Sequence, residues 1–132
     1  MKQAAILIVD DNPEIREIIQ ILLTGEGFQV HEAANGTQAL SQLKENIFDL
    51  IILDIMMPGL NGYQTCVEMR KLTNAPILFL SARTQESDKT LGFSSGGDDY
   101  LAKPFSYAEL VSRAKALIRR YQIYQGKPDQ PA

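Results

Sequence analysis

Short runs of uninterrupted apolar residues alternate along the chain with longer stretches in which apolar positions recur at helical spacing. Ile6-Leu7-Ile8-Val9 is the first run, ending at Asp10-Asp11. With no polar alternation it predicts a strand buried on both faces, as in a parallel sheet. Asn12 supplies a helix cap and Pro13 a first helical position, where the missing N–H is no loss. Ile15, Ile18, Ile19, Leu22 and Leu23 follow at helical spacing, and Gly25 to Gly27 ends the helix. Residues 28–33 predict a second, shorter strand, Asn35-Gly36 a turn, and Ala39, Leu40 and Leu43 a short second helix. Leu50-Ile51-Ile52-Leu53 predicts a third strand ending at Asp54. An irregular loop over 55–62 and a third helix over about 62–71 come next.

Pro76-Ile77-Leu78-Phe79-Leu80 predicts the fourth strand, closed by Ser81. A fourth helix, the least regular, is expected over 86–95, with Gly96-Gly97 stopping it. Tyr100-Leu101-Ala102 forms a brief fifth strand before Lys103-Pro104-Phe105. Ser106 and Glu109 make a capping-box pattern for the last helix. Its inner face is Leu110, Val111, Ala114, Leu117 and Ile118, and Arg119 and Arg120 fall in its last turn, where positive charge suits the helix dipole. From Gln122 onward the chain is polar, with Gly126, Pro128 and Pro131. One domain over 1–121 and a linker or disordered tail over 122–132 are expected, with any effector domain absent from this chain. Five strand–helix units predict an α/β doubly wound parallel sheet with helices on both faces.

Composition changes this picture little. Of 132 residues, 45% are hydrophobic and 22% charged, enough for one core in one domain, and the formal net charge of −3 leaves no basic footprint for nucleic acid. The single cysteine, Cys66, forms no internal disulfide, which is compatible with a reducing cytosol. No apolar stretch approaches the roughly 18–20 residues that cross a bilayer, and no secretory h-region opens the chain. A soluble, cytoplasmic protein with no membrane contact is expected.

Doubly wound sheets bind ligands beyond the carboxyl ends of their strands. Asp10, Asp11, Asp54, Ser81 and Lys103 each follow a strand, so folding would gather them on one rim. Crowded carboxylates repel, and one would ordinarily protonate; a hard divalent cation removes that penalty, and Mg²⁺ needs only one or two carboxylates and a carbonyl beside its waters. The competing reading is that Asp10 and Asp11 merely cap the first helix, in competition with Asn12.

The chain resembles the receiver domain of bacterial two-component response regulators. The likeness rests on Ile8-Val9-Asp10-Asp11, on Leu53-Asp54-Ile55-Met56-Met57-Pro58-Gly59 with Asn61-Gly62, on Leu80-Ser81-Ala82, and on Asp98-Asp99-Tyr100-Leu101-Ala102-Lys103-Pro104-Phe105. It covers residues 4 to about 120. The resemblance implies a flavodoxin-like (βα)5 sheet of strand order 2-1-3-4-5. It implies that Asp54 accepts a phosphoryl group from a sensor histidine kinase. Asp11, Asp54 and the Met56 carbonyl would hold Mg²⁺ (Mn²⁺ able to substitute), with Asp10 acting largely through water. Lys103 would be a second cation, before a proline bond typically cis in the family. Ser81 would bind a phosphoryl oxygen and, with Tyr100, form the switch.

The fourth helix, fifth strand and last helix look most like the subfamily whose receivers precede a winged-helix DNA-binding domain. That likeness implies transcriptional output, DNA contact only through a separate domain, and dimerisation on phosphorylation. Its charge pairs would be Lys89 with Glu109, Asp99 with Arg113 and Asp98 with Arg120, around an apolar patch at Thr90, Phe93 and Ser112 that is more polar than usual. His31 is expected at the surface, Cys66 in the core or an interface, and Met56 and Met57 in packing and recognition. A Mg²⁺ phosphatase would carry a second acid where Met56 stands, and a flavin carrier would need a phosphate cradle that the first loop lacks. The remaining alternative is a receiver-like module that acts without phosphorylation, although such versions usually lose an acid or the lysine.

Overall fold

The five apolar runs assemble into one parallel sheet in the order β2-β1-β3-β4-β5, as the resemblance implied. The computed structural model describes residues 3–81 and 94–125. In chain order the elements are β1 (Ala5–Val9), α1 (Pro13–Gly25), β2 (Gln29–Ala33), α2 (Gly36–Glu45), β3 (Leu50–Asp54), α3 (Gly62–Arg70), β4 (Ile77–Ser81), β5 (Asp99–Ala102) and α4 (Tyr107–Gln125). The helix expected over 86–95 lies mostly outside the described residues, and so do Lys89, Thr90 and Phe93. No helix among the described residues is long and apolar enough to cross a membrane.

Side chains alternate across a strand, so each apolar run feeds two cores. Ile6 and Ile8 of β1, Ile52, Leu78 and Leu80 pack on one face with Ile19 and Leu23 of α1 and with Leu110, Ala114, Leu117 and Ile118 of α4. Leu7, Val9, Ile51, Leu53 and Phe79 point the other way, to Ala39 and Leu43 of α2 and to Cys66 and Met69 of α3. Each such side chain contributes about 1.5–3 kcal/mol on burial.

Local chemistry sets the helix ends. The Asn12 side chain accepts the N–H groups of Glu14 at 2.9 Å and Ile15 at 3.4 Å, capping α1 ahead of Pro13. At its other end Gly27 takes φ +94°, a left-handed conformation that side chains disfavour, and the Phe28 N–H returns to the Leu23 carbonyl at 3.1 Å. Asn35-Gly36 is not a free turn. Asn35 caps α2, accepting the Gln38 N–H at 2.8 Å, and Gly36 is the first helical residue, pressed against the Thr65 hydroxyl of α3. Asn-Gly signals a turn through backbone freedom; here the glycine is needed for close approach between helices.

The last helix also departs from its expectation. Ser106 Oγ accepts the Glu109 N–H at 3.0 Å, but the Glu109 carboxylate turns to Arg113, one turn on. The reciprocal capping box belongs to α3, between Asn61 and Gln64. Because α4 continues to Gln125, Arg119 and Arg120 sit before its last turn rather than in it.

Arg70, at the end of α3, ties that helix to the starts of β4 and β5. Its guanidinium donates to the carbonyls of Gly96 at 2.9 Å and Ala75 at 2.6 Å and to Asp98 Oδ2 at 2.6 Å, and Asp98 Oδ2 also accepts the Ile77 N–H at 2.9 Å. Removing it takes a donor from the carbonyls of buried Ala75 and half-buried Gly96, and the cation from the Asp98 carboxylate. Arg70→Leu is expected to lower unfolding free energy by about 2 kcal/mol or more in denaturant titration, whereas Arg120→Ala, an exposed substitution, should stay within about 0.5 kcal/mol.

Candidate functional site

The strand register carries the polar residues to one edge. Val9 pairs with Leu53, which sets Asp10 beside Asp54; Asp54 pairs with Leu80, and Ser81 with Ala102, immediately before Lys103. Backbone hydrogen bonds extend the ladder past the strand ends, from Asp10 N–H to Ala33 at 3.2 Å, Ile55 N–H to Leu80 at 3.1 Å and Lys103 N–H to Ser81 at 2.7 Å. The main chain therefore holds each functional residue before any side chain contributes.

One carboxylate oxygen each from Asp10, Asp11 and Asp54 lies within 4.8 Å of the others. Asp10 and Asp54 are buried, 1% and 3% exposed, while Asp11 faces solvent. Because Asn12 caps α1, neither Asp10 nor Asp11 is spent on that task. Asp10 Oδ1 accepts the Asn12 N–H at 2.9 Å, and its Oδ2 receives Lys103 Nζ at 3.3 Å. Lys103 Nζ is also 3.3 Å from Asp54 Oδ1, so a single ammonium bridges the two buried acids. The Lys103–Pro104 peptide bond is cis.

Three acids against one ammonium leave the rim short of positive charge. Burial, and then the neighbouring Asp10 carboxylate, push the Asp54 carboxyl up to about 6; Lys103 and a hydrogen bond from the Met56 backbone pull it down without cancelling them. The donor set is all oxygen, half-sheltered and under mutual repulsion, which fits a hard divalent cation.

Ser81 is fully buried at the end of β4, its carbonyl accepting the Lys103 N–H. Tyr100, on β5, is 7% exposed and packs in the core layer that holds Phe79 and Tyr63. Arg16 is a site neighbour the sequence did not mark. Its NH1 donates to the Asp10 carbonyl at 2.7 Å and its Nε to Glu32 at 3.2 Å, steadying the acidic loop from α1. A lone arginine in a helical first turn looks like any solvated one, so spacing held no signal for it.

Other sequence candidates fall away from the rim. Within one chain Asp99 accepts two hydrogen bonds from Arg113, at 2.8 and 2.9 Å, and Glu109 is engaged by the same guanidinium. Within the same chain Asp98 is held by Arg70. His31 is half-buried rather than simply at the surface, meeting Phe48 edge-on with ring centroids 5.3 Å apart. Cys66 is fully buried, and burial pushes its thiol up to about 11. Met57 is buried, and Met56 is exposed. Beside Lys103, an apolar groove runs between Ile15 and Ile18 of α1 and Pro104, Phe105 and Tyr107.

Residues 6–115 match the response regulator receiver domain family. The chain is 50% identical over 125 residues to the uncharacterized transcriptional regulatory protein YrkP of Bacillus subtilis (strain 168), covering 95% of this chain and 54% of YrkP. It is 47% identical over 115 residues to the transcriptional regulatory protein CpxR homolog of Haemophilus influenzae, covering 87% of this chain and 50% of that protein. The crystal structure of response regulator protein TrrA from Thermotoga maritima in complex with Mg(2+)-BeF matches with a TM-score of 0.79 at 36% identity, over 87% of this chain and 99% of TrrA. This chain belongs to the response regulator receiver domain family, with the flavodoxin-like doubly wound sheet that defines it. It spans about half the length of the curated relatives it matches.

The raised Asp54 carboxyl has a measurable consequence in metal-free solution. Its folded value lies above the ordinary 3.8, so ionisation weakens the fold as pH rises from about 4 through about 6. Asp54→Asn, lacking that charge, is expected to melt several degrees above the natural protein at pH 7.5 in EDTA. The gap should shrink as pH falls towards 4. Equal melting temperatures across that range would refute the assignment.

Proposed function

We propose that this domain accepts a phosphoryl group from a sensor histidine kinase onto Asp54 in a divalent-cation-dependent reaction, and relays the change to an output. The observation that carries this is the convergence of Asp10, Asp11 and Asp54 with Lys103 at the carboxyl edge of the sheet. The Asp11 and Asp54 carboxylates and the Met56 carbonyl would hold Mg²⁺ directly, with Asp10 acting through water. Mg²⁺, or Mn²⁺ in its place, would supply the positive charge that draws phosphoryl oxygens to the rim and polarises them.

An Asp54 oxygen attacks phosphorus in line. The bond to the donor imidazole nitrogen breaks, its electron pair leaves with the imidazole, and that nitrogen takes a proton from solvent. Phosphoryl transfer depends on positioning and on neutralising equatorial oxygens. Lys103 serves the second need. Its backbone is pinned to Ser81, so a rotation of its flexible stem carries Nζ from the acids to a phosphoryl oxygen. Ser81 would donate its hydroxyl to another oxygen. Attack by water on the acyl phosphate later restores the carboxylate, so the signal is self-limiting.

For the relay, Ser81 moves toward the phosphoryl group and Tyr100 settles inward, a shift between two packings of β4 and β5. The burial of Tyr100 in this structure supports an inward arrangement that the core accommodates. A protein donor must cover the surface next to Asp54, and the apolar groove between α1 and the segment after Lys103 suits that contact.

The receiver expected over 1–121 extends to Gln125, because α4 runs past that boundary; the residues beyond it act as a linker, with transcription controlled by a DNA-binding domain in a longer cytoplasmic protein, an output the names of the relatives support. Dimerisation on phosphorylation would use Lys89, Phe93, Asp98, Asp99, Glu109, Arg113 and Arg120. Asp98 and Asp99 already hold Arg70 and Arg113 within the chain, so pairing between chains exchanges partners, and each exposed pair adds only about 0–1 kcal/mol. A module acting without phosphorylation has no use for this convergence.

Incubation with acetyl phosphate and Mg²⁺ is expected to add one phosphoryl mass, stable in acid and labile in base. EDTA and Asp54→Asn should each abolish it; an unmodified natural protein would overturn the proposal. Sedimentation of the beryllofluoride-treated protein should reveal a weak dimer, and a strict monomer at high concentration would remove the dimer face from it.

A further inference from the structure

The turn that follows Asp54 is closed by Gly62, the first residue of α3. Its φ is not in the left-handed region, so backbone freedom is not why glycine stands there. The reason is contact. A Cβ at this position would fall 2.5 Å from the Asp54 carbonyl oxygen, 2.6 Å from Ile55 Cα and 3.1 Å from the Asp54 carbonyl carbon. All three are main-chain atoms of the phosphoacceptor's own peptide, and none can rotate aside.

The start of α3 is itself locked. Asn61 accepts the Gln64 N–H at 2.9 Å and returns its own N–H to Gln64 Oε1 at 3.0 Å. Thr65 donates both its N–H and its hydroxyl to the Asn61 carbonyl, at 2.9 and 2.8 Å. Gly62 N–H then donates to the Ile55 carbonyl at 2.9 Å. A rigid helix end thus stands against the back of the peptide that carries Asp54, and the Met56 backbone lies within the same turn.

We infer that Gly62 and the Asn61–Gln64 box are positioning residues for the phosphoacceptor: they form a backstop that fixes the Asp54–Met56 main chain, and with it the oxygen donors of the rim. The inference rests on the reading of Asp54 as the phosphorylated, cation-holding residue. A misplacement of about 1 Å can cost about a hundredfold in reactivity, so a methyl group here acts on chemistry and not only on packing.

Arg70→Leu provides an internal control. Its hydrogen bonds go to Gly96, Thr73, Ala75 and Asp98, at the other end of α3 from the Asn61–Gln64 box. Gly62→Ala and Arg70→Leu, each made in the whole chain, are both expected to melt several degrees lower. Well below both transitions, Gly62→Ala alone should shift the amide resonances of Asp54, Ile55 and Met56 in metal-free protein. It should also weaken Mg²⁺ binding and slow phosphorylation by acetyl phosphate, each by about tenfold or more, with Arg70→Leu within about twofold. A folded Gly62→Ala with natural Mg²⁺ affinity and unshifted amides overturns the inference. If the natural protein takes no phosphoryl group, the functional reading fails, while the amide shifts and cation affinity still decide the positioning role. Should Gly62→Ala not fold, Asn61→Ala decides instead: loss of the cap is expected to weaken Mg²⁺ binding about fivefold, and unchanged affinity overturns the inference.

Discussion

Asp10 and Asp54 face each other across the ends of β1 and β3 because the ladder pairing Val9 with Leu53 leaves their main chains no other course. Two buried carboxylates so placed repel, and Lys103, reaching both from the end of β5, offsets part of that repulsion. Like charges at this spacing would ordinarily drive one group to protonate. Here the backbone contacts and the buried apolar layers hold the geometry against that tendency. The rim is therefore a place where positive charge is missing by construction, with its oxygen donors held in place by the main chain.

Such an arrangement is maintained at a cost in stability, as functional sites commonly are. The two apolar layers on either side of the sheet supply the surplus, and the polar anchors direct it. Arg16 grips the Asp10 carbonyl, the Ser81 carbonyl grips Lys103, and Gly62 braces the peptide of Asp54. Each anchor acts on main chain rather than on a reacting atom.

The strands and most of the rim were legible from residues alone. Runs such as Leu50 to Leu53 end abruptly at an acid or a hydroxyl, and in a parallel sheet that change marks both the strand end and the ligand-binding edge. What stayed hidden depended on contacts between distant elements. Asn35-Gly36 has the local chemistry of a turn, and only the contact with Thr65 shows why the first residue of α2 is glycine. Arg70 resembles any basic residue at a helix end until Asp98, Gly96 and Ala75 close around it. The capping pattern at Ser106 and Glu109 was readable, but Arg113 competes for that carboxylate. Spacing along a chain records local preference and is silent on such rivalries.

Cys66 offers a consequence of another kind. It is sealed beneath α3 and kept as a neutral thiol, so alkylating reagents in solution find nothing to attack while that helix lies on the sheet. Its rate of alkylation becomes a clock for the helix lifting away, reporting a rare opening that equilibrium spectra average out. A chain with one sheltered thiol carries its own built-in probe of how often the floor beneath its acidic edge gives way.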